Sequence, residues 1–237
     1  MIRAVTSHAL TRIKPLAELP AAGVAGVLTD IDDTLTKDGA IEPAALQALH
    51  DLAAAGLPVF AVTGRPMGWS EPFARAWPLG AIVAENGAVA LWREGGDLRV
   101  EYAQDEPERR ANATRLRAVA ARVLAEVPGA TLARDSAGRV TDIAVDHAEF
   151  AHLGPEAIEA VVRIMRAEGM NATVSSIHVN GWYGDHDKWS GAVWIVRRRL
   201  GRELAAEVDR WVYVGDSTND QAMFARFARS VGVANLL

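Results

Sequence analysis

The chain has 237 residues, half of them hydrophobic, with a formal net charge of -5 and no cysteine. This length allows a substantial core, either as one large domain or as a core plus a smaller one. The acidic balance argues against a nucleic-acid partner, because binding phosphates requires a basic face. The lack of cysteine excludes disulfides, a thiolate nucleophile and a cysteine-bound zinc site.

The first third of the chain alternates between apolar strands and helices. An apolar run predicts the first strand, and Pro43 followed by Gly56 marks the start and end of the first helix. The elements, in order, are a strand over 24–28, a helix over 43–55, a strand over 57–62, a helix over 70–77 and a strand over 81–84. This order is typical of a parallel sheet with right-handed crossovers.

The pattern changes at Asn86-Gly87, which is a strong tight-turn signal. The next stretch predicts a hairpin over 89–102, helices over 107–126 and 155–168, and strands over 131–134, 140–145, 172–175 and 177–180. The core pattern then resumes with a helix over 188–200, a strand over 211–214, a short helix to 227 and a strand over 230–233. We therefore predict an α/β fold in which a Rossmann-like parallel-sheet core, residues 1–86 and 186–237, carries an inserted α+β cap, residues 87–185.

Polar side chains stand where the core elements end or begin. Asp30 and Asp32 follow the first strand, and Thr63 follows the second. Asp216 follows a later strand, and Lys188 opens a helix. Ligands of open α/β sheets bind beyond the carboxyl ends of the strands, and crowded carboxylates need a cation. A hard oxygen site with few carboxylates suits Mg²⁺, which takes phosphate as a further ligand. The alternative for an Asp-rich strand end is an N-cap and turn cluster.

These segments resemble the four motifs of the haloacid dehalogenase superfamily, in the right order. They are Asp30-Ile31-Asp32-Asp33-Thr34, Thr63-Gly64-Arg65, Lys188 and Gly215-Asp216-Ser217-Thr218-Asn219-Asp220. The insert between the second and third motifs is similar to the type IIB cap. Members of that subfamily include sucrose-phosphate, trehalose-phosphate and mannosyl-3-phosphoglycerate phosphatases and the phosphomannomutases. One departure is Asp33, where many relatives have glycine.

The resemblance implies a role for each motif residue. Asp30 resembles the nucleophile, which forms an aspartyl-phosphate, and Asp32 resembles the general acid and base. Mg²⁺ would be held by Asp30, Asp216 and the main-chain carbonyl of Asp32. Thr63 would donate a hydrogen bond to the phosphoryl group, while Lys188 would offset its charge. The resemblance further implies a phosphate-binding or supporting role for Thr34, Gly64, Arg65, Asn86, Ser217, Asn219 and Asp220, of which the last would hold the metal-bound water or orient the lysine.

Simpler interpretations remain for some of these residues. Lys188 could be an ordinary solvated helix lysine, since Asp185, His186 and Asp187 crowd it. Thr63 could be a strand-end cap, and Asn86 could serve the tight turn alone.

In the cap, the segment 178–185 is rich in residue types that bind sugars, namely aromatic, amide and histidine side chains. We expect His178, Asn180 and Tyr183 to contact the substrate. The alternative is that Trp182 packs in the hinge between cap and core while its neighbours are solvated.

These features together predict a Mg²⁺-dependent phosphomonoesterase acting on a small phosphorylated metabolite, a sugar phosphate or a glycosyl-phosphoglycerate. The alternatives are a phosphomutase of the phosphomannomutase type and a non-catalytic ligand-binding member of the fold. No apolar run is long enough to cross a bilayer, and the N-terminal residues lack the apolar segment of a secretory signal. We expect a cytoplasmic protein without nucleic-acid or membrane partners, and a homodimer stays open.

Overall fold

The computed structural model describes residues 14–233, so the first part of the lead-in lies outside the described residues. The strands are β1 (Gly26–Thr29), β2 (Thr36–Lys37), β3 (Ala40–Ile41), β4 (Val59–Val62), β5 (Ala81–Ala84), β6 (Val89–Glu94), β7 (Asp97–Tyr102), β8 (Thr131–Leu132), β9 (Asp142–Asp146), β10 (Asn171–Val174), β11 (His178–Trp182), β12 (Trp211–Gly215) and β13 (Arg229–Gly232). The helices are α1 (Pro43–Ala54), α2 (Met67–Ala76), α3 (Glu106–Glu126), α4 (Pro155–Ala167), α5 (Lys188–Leu200) and α6 (Gln221–Phe224).

The core is a seven-stranded sheet in the order β13-β12-β1-β4-β5-β6-β7. The first five strands of this order run parallel, and the β5-β6-β7 end is antiparallel. Every residue of β4 and β5 is buried, as expected for central strands whose apolar runs face helices on both sides. The predicted α/β class with a mostly parallel core sheet is confirmed.

The hairpin β6–β7 belongs to the core sheet, which corrects the predicted start of the cap at residue 87. Strand β6 pairs with β5, with Ile82 opposite Leu91, and Trp92 is buried in the core cluster. Positive φ angles at Glu85, Asn86 and Gly87 reverse the chain tightly enough to bring β6 beside β5. The insert therefore begins after β7 rather than at residue 87.

The insert, which we refer to as the cap, contains a four-stranded antiparallel sheet in the order β10-β11-β9-β8, packed against α3 and α4. Its apolar interior includes Leu116 and Val123 from α3 and Val161 and Met165 from α4. Within residues 14–233, no helix is long and apolar enough to span a membrane.

The turn after β5 contacts both the cap and the beginning of α5. The buried carboxylate of Glu85 accepts hydrogen bonds from the backbone N–H groups of Val140 and Thr141 in the cap, at 3.1 and 2.6 Å. A Cβ atom at Gly87 would lie only 2.1 Å from the main-chain oxygen of Asp187, which immediately precedes α5. Glycine thus lets the turn after β5 touch the beginning of α5, and this fixes where Lys188 enters the core.

Candidate active site

Asp30 and Asp216 lie side by side at the carboxyl edge of the core sheet. Strands β1 and β12 pair in parallel, with Thr29 opposite Val214, and each strand ends just before one of these acids. The backbone N–H of Asp30 donates to the Val214 carbonyl at 2.9 Å. Both acids are buried, at 4% and 5% exposure. The register of the two strands thus brings together two acids that are far apart in sequence.

The ammonium group of Lys188 lies between two carboxylates. Its Nζ atom is 2.9 Å from Oδ1 of Asp30 and 2.7 Å from Oδ1 of Asp220. Burial acts to lower the pKa of Lys188, but the two carboxylates outweigh it and raise this pKa above its usual range. Burial acts to raise the pKa of Asp220, but Lys188, the hydroxyl of Tyr213 and the backbone N–H of Asp216 together outweigh it, and the pKa is lowered. Lys188 is therefore a buried, charged residue and not a solvated helix lysine.

Both carboxylate oxygens of Asp220 are occupied. Besides Lys188, Oδ1 accepts a hydrogen bond from the hydroxyl of Tyr213 at 2.5 Å. The other oxygen, Oδ2, accepts from the backbone N–H groups of Asp216 and Ser217 at 3.1 and 3.3 Å. Tyr213 was missed by the sequence analysis. Its signal is a single hydroxyl within the apolar run of β12.

The acidic groups at this edge fit a hard cation. Carboxylate oxygens of Asp30, Asp216 and Asp220 all lie within 4.8 Å of one another. Because Asp220 already accepts several hydrogen bonds, Asp30 and Asp216 are the carboxylates best placed to bind a metal. Burial, followed by the nearby Asp220, raises the pKa of Asp216 to about 6. Burial raises the pKa of Asp30 against the opposing effect of Lys188. A divalent cation would relieve this crowding of negative charge.

The loop after β4 forms another wall of the site. Thr63 is fully buried, its N–H donates to the Val83 carbonyl at 2.8 Å, and its carbonyl accepts from the Asn86 N–H at 3.0 Å. Asn86 has a left-handed φ of 56°, and its buried Nδ2 has no hydrogen-bond partner among residues 14–233. A Cβ at Gly64 would lie 3.3 Å from the Asn86 side chain and 3.4 Å from that of Asn180. The turn and the loop are thus packed closely at this wall.

Arg65 connects Asp32, the predicted general acid, to the cap. Its Nε and Nη2 atoms each lie 2.8 Å from Oδ1 of Asp32. The same guanidinium group reaches two cap residues, Asp135 at 3.2 Å and Glu149 at 2.8 Å. Burial raises the pKa of Asp32, and Arg65 opposes this effect. Asp135 and Glu149 were not predicted, because nothing local in sequence marks a cap acid that faces the core.

Two of the three predicted substrate-contacting residues lie at the site. His178 and Asn180 line a small cavity together with Asp30, Asp32 and Thr63. The Nε2 atom of His178 lies 2.9 Å from Oε2 of Glu149. Nδ2 of Asn180 donates to Asp142 at 3.2 Å.

The structure does not bring Tyr183 to this cavity. Its ring is buried in the apolar cluster of the cap, 3.6 Å beneath the guanidinium group of Arg115.

The remaining predicted residues form the turns around the site. The N–H of Thr34 donates to the Ile31 carbonyl at 3.2 Å, which closes the turn after β1. The hydroxyl of Ser217 donates to Oδ1 of Asn219 at 2.6 Å. Asn219 lines the cavity that contains Asp30 and Asp32. These residues thus shape the loops that hold the reactive groups.

The comparisons with known proteins agree with this architecture. Residues 27–108 match the family model described as haloacid dehalogenase-like hydrolase. A solved protein of Thermoplasma acidophilum has a TM-score of 0.70 and 17% identity, over 90% of this chain and 85% of that one. The sucrose-phosphatase of Synechocystis sp., in complex with sucrose and phosphate, has a TM-score of 0.63 and 18% identity, over 90% and 84%. A haloacid dehalogenase subclass IIB sugar phosphatase has a TM-score of 0.59 and 16% identity, over 88% and 87%.

Comparison with curated proteins gives no match. At the identities found, the likeness to solved structures establishes the fold. The family match confirms the predicted resemblance to the haloacid dehalogenase superfamily and the prediction of an enzyme of this hydrolase class.

Proposed function

We propose that the protein is a Mg²⁺-dependent phosphomonoesterase in which Asp30 is the nucleophile. The observation that carries this proposal is the buried cluster of Asp30, Lys188, Asp216 and Asp220 at the carboxyl edge of the core sheet. A solvated set of acids would not enclose a buried ammonium group. The cluster instead combines a nucleophile with the positive charge that a phosphoryl group requires.

The reaction proceeds in two steps. A carboxylate oxygen of Asp30 attacks phosphorus, the bond between phosphorus and the alcohol oxygen breaks, and Asp32 gives its proton to the departing alcohol. Asp32 then accepts a proton from water, whose oxygen attacks phosphorus, releases inorganic phosphate and restores Asp30. Lys188 holds Oδ1 of Asp30, which leaves Oδ2 for the attack. Thr63 donates a hydrogen bond to the phosphoryl group.

The carboxylates of Asp30 and Asp216, with the main-chain carbonyl of Asp32, would hold the Mg²⁺ ion. When bound, the ion offsets the negative charges of the phosphoryl oxygens and of the nucleophile. The support for this assignment is that Asp220, the third acid of the cluster, is already satisfied by Lys188, Tyr213 and backbone N–H groups.

The substrate we propose is a small phosphorylated metabolite, a sugar phosphate or a glycosyl-phosphoglycerate. The fold is shared with a sucrose-phosphatase and with a subclass IIB sugar phosphatase. The cavity around Asp30 is narrow, but Asn219 also lines a neighbouring cavity of about 610 Å³ that reaches Lys188 and Asn86. The alcohol part of the substrate has room there, while His178 and Asn180 contact the part nearer the phosphoryl group. We propose a cytoplasmic enzyme with no nucleic-acid or membrane partner.

The test is a panel of phosphorylated metabolites assayed for phosphate release with Mg²⁺, with Asp30→Asn as the blank. We expect release from at least one sugar phosphate by the wild type and loss of about 10⁴-fold or more in the variant, because the nucleophile is removed. Release without a sugar bisphosphate activator would rule out a phosphomutase. Equal rates for the wild type and Asp30→Asn would disprove the proposal.

A further inference from the structure

We propose that Glu149, a residue of the cap, positions the general acid Asp32 by holding Arg65. This inference rests on the proposed function, since it assigns to Asp32 the proton transfer to the leaving group. It adds a residue that no motif contains. The orientation of Asp32 would then depend on the contact between the cap and Arg65 of the core.

Arg65 is buried and makes two contacts with a single oxygen of Asp32. Its side chain is nearly fully buried, and its guanidinium group lies 4.9 Å above the ring of Trp69. Nε and Nη2 both contact Oδ1 of Asp32, so Oδ2 is left to face the leaving-group oxygen. A guanidinium group is a rigid planar fork, and its orientation therefore fixes the plane in which the carboxylate can lie.

Two carboxylates of the cap contact the guanidinium group of Arg65. Nη2 lies 2.8 Å from Oε1 of Glu149, and Nη1 lies 3.4 Å from its Oε2. Asp135 also contacts Arg65, at 3.2 Å, but its carboxylate is shared with Arg139. Within residues 14–233, Glu149 is therefore the contacting cap carboxylate that has no second arginine as a partner. Of the two, it has the stronger hold on the orientation of Arg65.

Glu149 is itself held firmly. Its Oε2 lies 2.9 Å from Nε2 of His178 on β11. Its backbone N–H donates to Oδ1 of Asp146 at 2.9 Å, and Oδ2 of Asp146 accepts from the N–H groups of Phe150 and Ala151. The loop after β9 is thus organised around one buried carboxylate. The side chain of Glu149, in the same loop, extends toward Arg65 of the core.

The chemical consequence is a dependence on the leaving group. An alkoxide is a poor leaving group and needs the proton of Asp32, whereas p-nitrophenolate departs without it. The ratio kcat/KM includes only the steps up to transfer of the phosphoryl group to Asp30, so the later use of Asp32 as a base does not enter. Misaligning Asp32 should therefore lower kcat/KM for an alkyl ester and spare the p-nitrophenyl ester.

The experiment compares Glu149→Gln with Glu159→Gln, an exposed cap residue that undergoes the same change. The substrates are glycerol 2-phosphate and p-nitrophenyl phosphate, both with Mg²⁺. For Glu149→Gln we expect kcat/KM for the glycerol ester to fall about 10-fold or more, which is part of the usual contribution of a general acid. The value for p-nitrophenyl phosphate should stay within about 3-fold, and Glu159→Gln should match the wild type with both esters. Equal losses on both esters would overturn the proposal.

A second arm tests whether Glu149 acts through Arg65. In the Arg65→Gln background, adding Glu149→Gln should produce no further loss with glycerol 2-phosphate, because the two changes break the same connection. An undiminished loss in that background would show that Glu149 acts by another route, and the proposal would be wrong.

A spectroscopic arm does not depend on turnover. The Nε–H resonance of Arg65, identified by its absence in Arg65→Gln, should shift or broaden in Glu149→Gln and stay in place in Glu159→Gln. An unchanged resonance in Glu149→Gln would overturn the proposal. If the wild type releases phosphate from neither of these esters nor from any metabolite of the panel, the proposed function fails, and this arm still decides whether Glu149 orients Arg65.

Discussion

Two charged clusters meet at the same edge of the core sheet, and they are built differently. The Lys188 cluster comprises Asp30, Asp216, Asp220 and Tyr213, all from the core. In the second, the Arg65 cluster, Asp32 and Arg65 come from the core, whereas Asp135, Glu149 and His178 come from the cap. The proposed nucleophile Asp30 and its countercharge Lys188 are therefore supplied by the core alone, while the surroundings of the proposed acid Asp32 are completed by the insert.

The two clusters also differ in how their charge is balanced. Lys188 is a compact ammonium group that lies between two carboxylates, both of which follow strands of the same core sheet. Arg65 spreads its charge over a planar group that bridges two parts of the fold. The first arrangement suits a site that must exist before substrate arrives. The second suits a contact that joins the insert to the core.

Replacing Lys188 with methionine should disrupt the Lys188 cluster and produce the largest change in both stability and activity. The change leaves Asp30 and Asp220 buried without their cation, and losing one partner of a buried ion pair costs about 3–5 kcal/mol in the free energy of unfolding. Phosphate release should fall by about 10³-fold or more, because the charge that stabilises the transition state is lost. Chemical unfolding and a phosphate-release assay would measure the two effects.

The control for this change is Lys37→Met, which alters an exposed lysine of β2. Its free energy of unfolding should stay within about 0.5 kcal/mol of the wild type. If Lys188→Met were as stable as this control, Lys188 would not be a buried ion-pair partner, and the contrast between the two clusters would not hold.

The Arg65 cluster, unlike the Lys188 cluster, contains a histidine, His178, which should make the stability of the protein depend on pH. Burial, aided by Arg139, lowers the pKa of His178 to about 4 and outweighs Asp135 and Glu149, which raise it. The unfolded chain therefore binds a proton at this histidine near pH 6.5, whereas the folded chain does not until about pH 4. The contribution of His178 to stability should accordingly be fully present above about pH 6.5 and decrease as the pH falls toward 4, by up to about 3 kcal/mol.

The measurement is the free energy of unfolding at several pH values for the wild type and for His178→Gln. The variant should lose less stability than the wild type between pH 7 and pH 5, because its side chain cannot take up a proton. Identical slopes would mean that His178 does not titrate differently in the folded and unfolded chains.

The sequence predicted the Lys188 cluster more fully than the Arg65 cluster, for physical reasons. Parallel strands deliver their end residues to one edge, so the order of the strands alone places Asp30, Thr63 and Asp216 together. Cap residues such as Glu149 reach the site across the gap between two sheets, and no local pattern encodes that approach. The hairpin after β5 was assigned to the cap because a tight turn does not reveal which sheet its strands join.

The position of Tyr183 away from the cavity around Asp30 has a similarly simple cause. Side chains alternate between the two faces of a strand, so His178 and Asn180 share one face of β11. Tyr183 follows at an odd spacing, just beyond the strand, and its ring lies in the apolar interior of the cap. Residue types that bind sugars predicted three contacts, but strand periodicity allows only the first two to face the cavity together.

The smallest effect is predicted for the hydroxyl group of Tyr213 in the Lys188 cluster. Tyr213→Phe removes the hydroxyl that shares Oδ1 of Asp220 with Lys188, and a hydrogen bond to a charged group contributes about 1.5 kcal/mol to stability. The ring is retained, so its packing against Phe224 and Phe227 should persist. We expect kcat to fall about 10-fold with little change in KM, because a less constrained Asp220 holds Lys188 less well against Asp30.

Tyr102→Phe is the matched control, since Tyr102 lies on β7 at the far end of the core sheet from β12. It should keep both the stability and the kcat of the wild type. If Tyr213→Phe lost stability but kept kcat, the hydroxyl would serve only the fold. Lys188 would then be positioned by its two carboxylates and by the backbone N–H groups that hold Asp220. Such a result would mean that the loop after β12, through Asp220, is enough to hold Lys188 against Asp30. The Lys188 cluster would then depend on fewer neighbouring groups than the Arg65 cluster does.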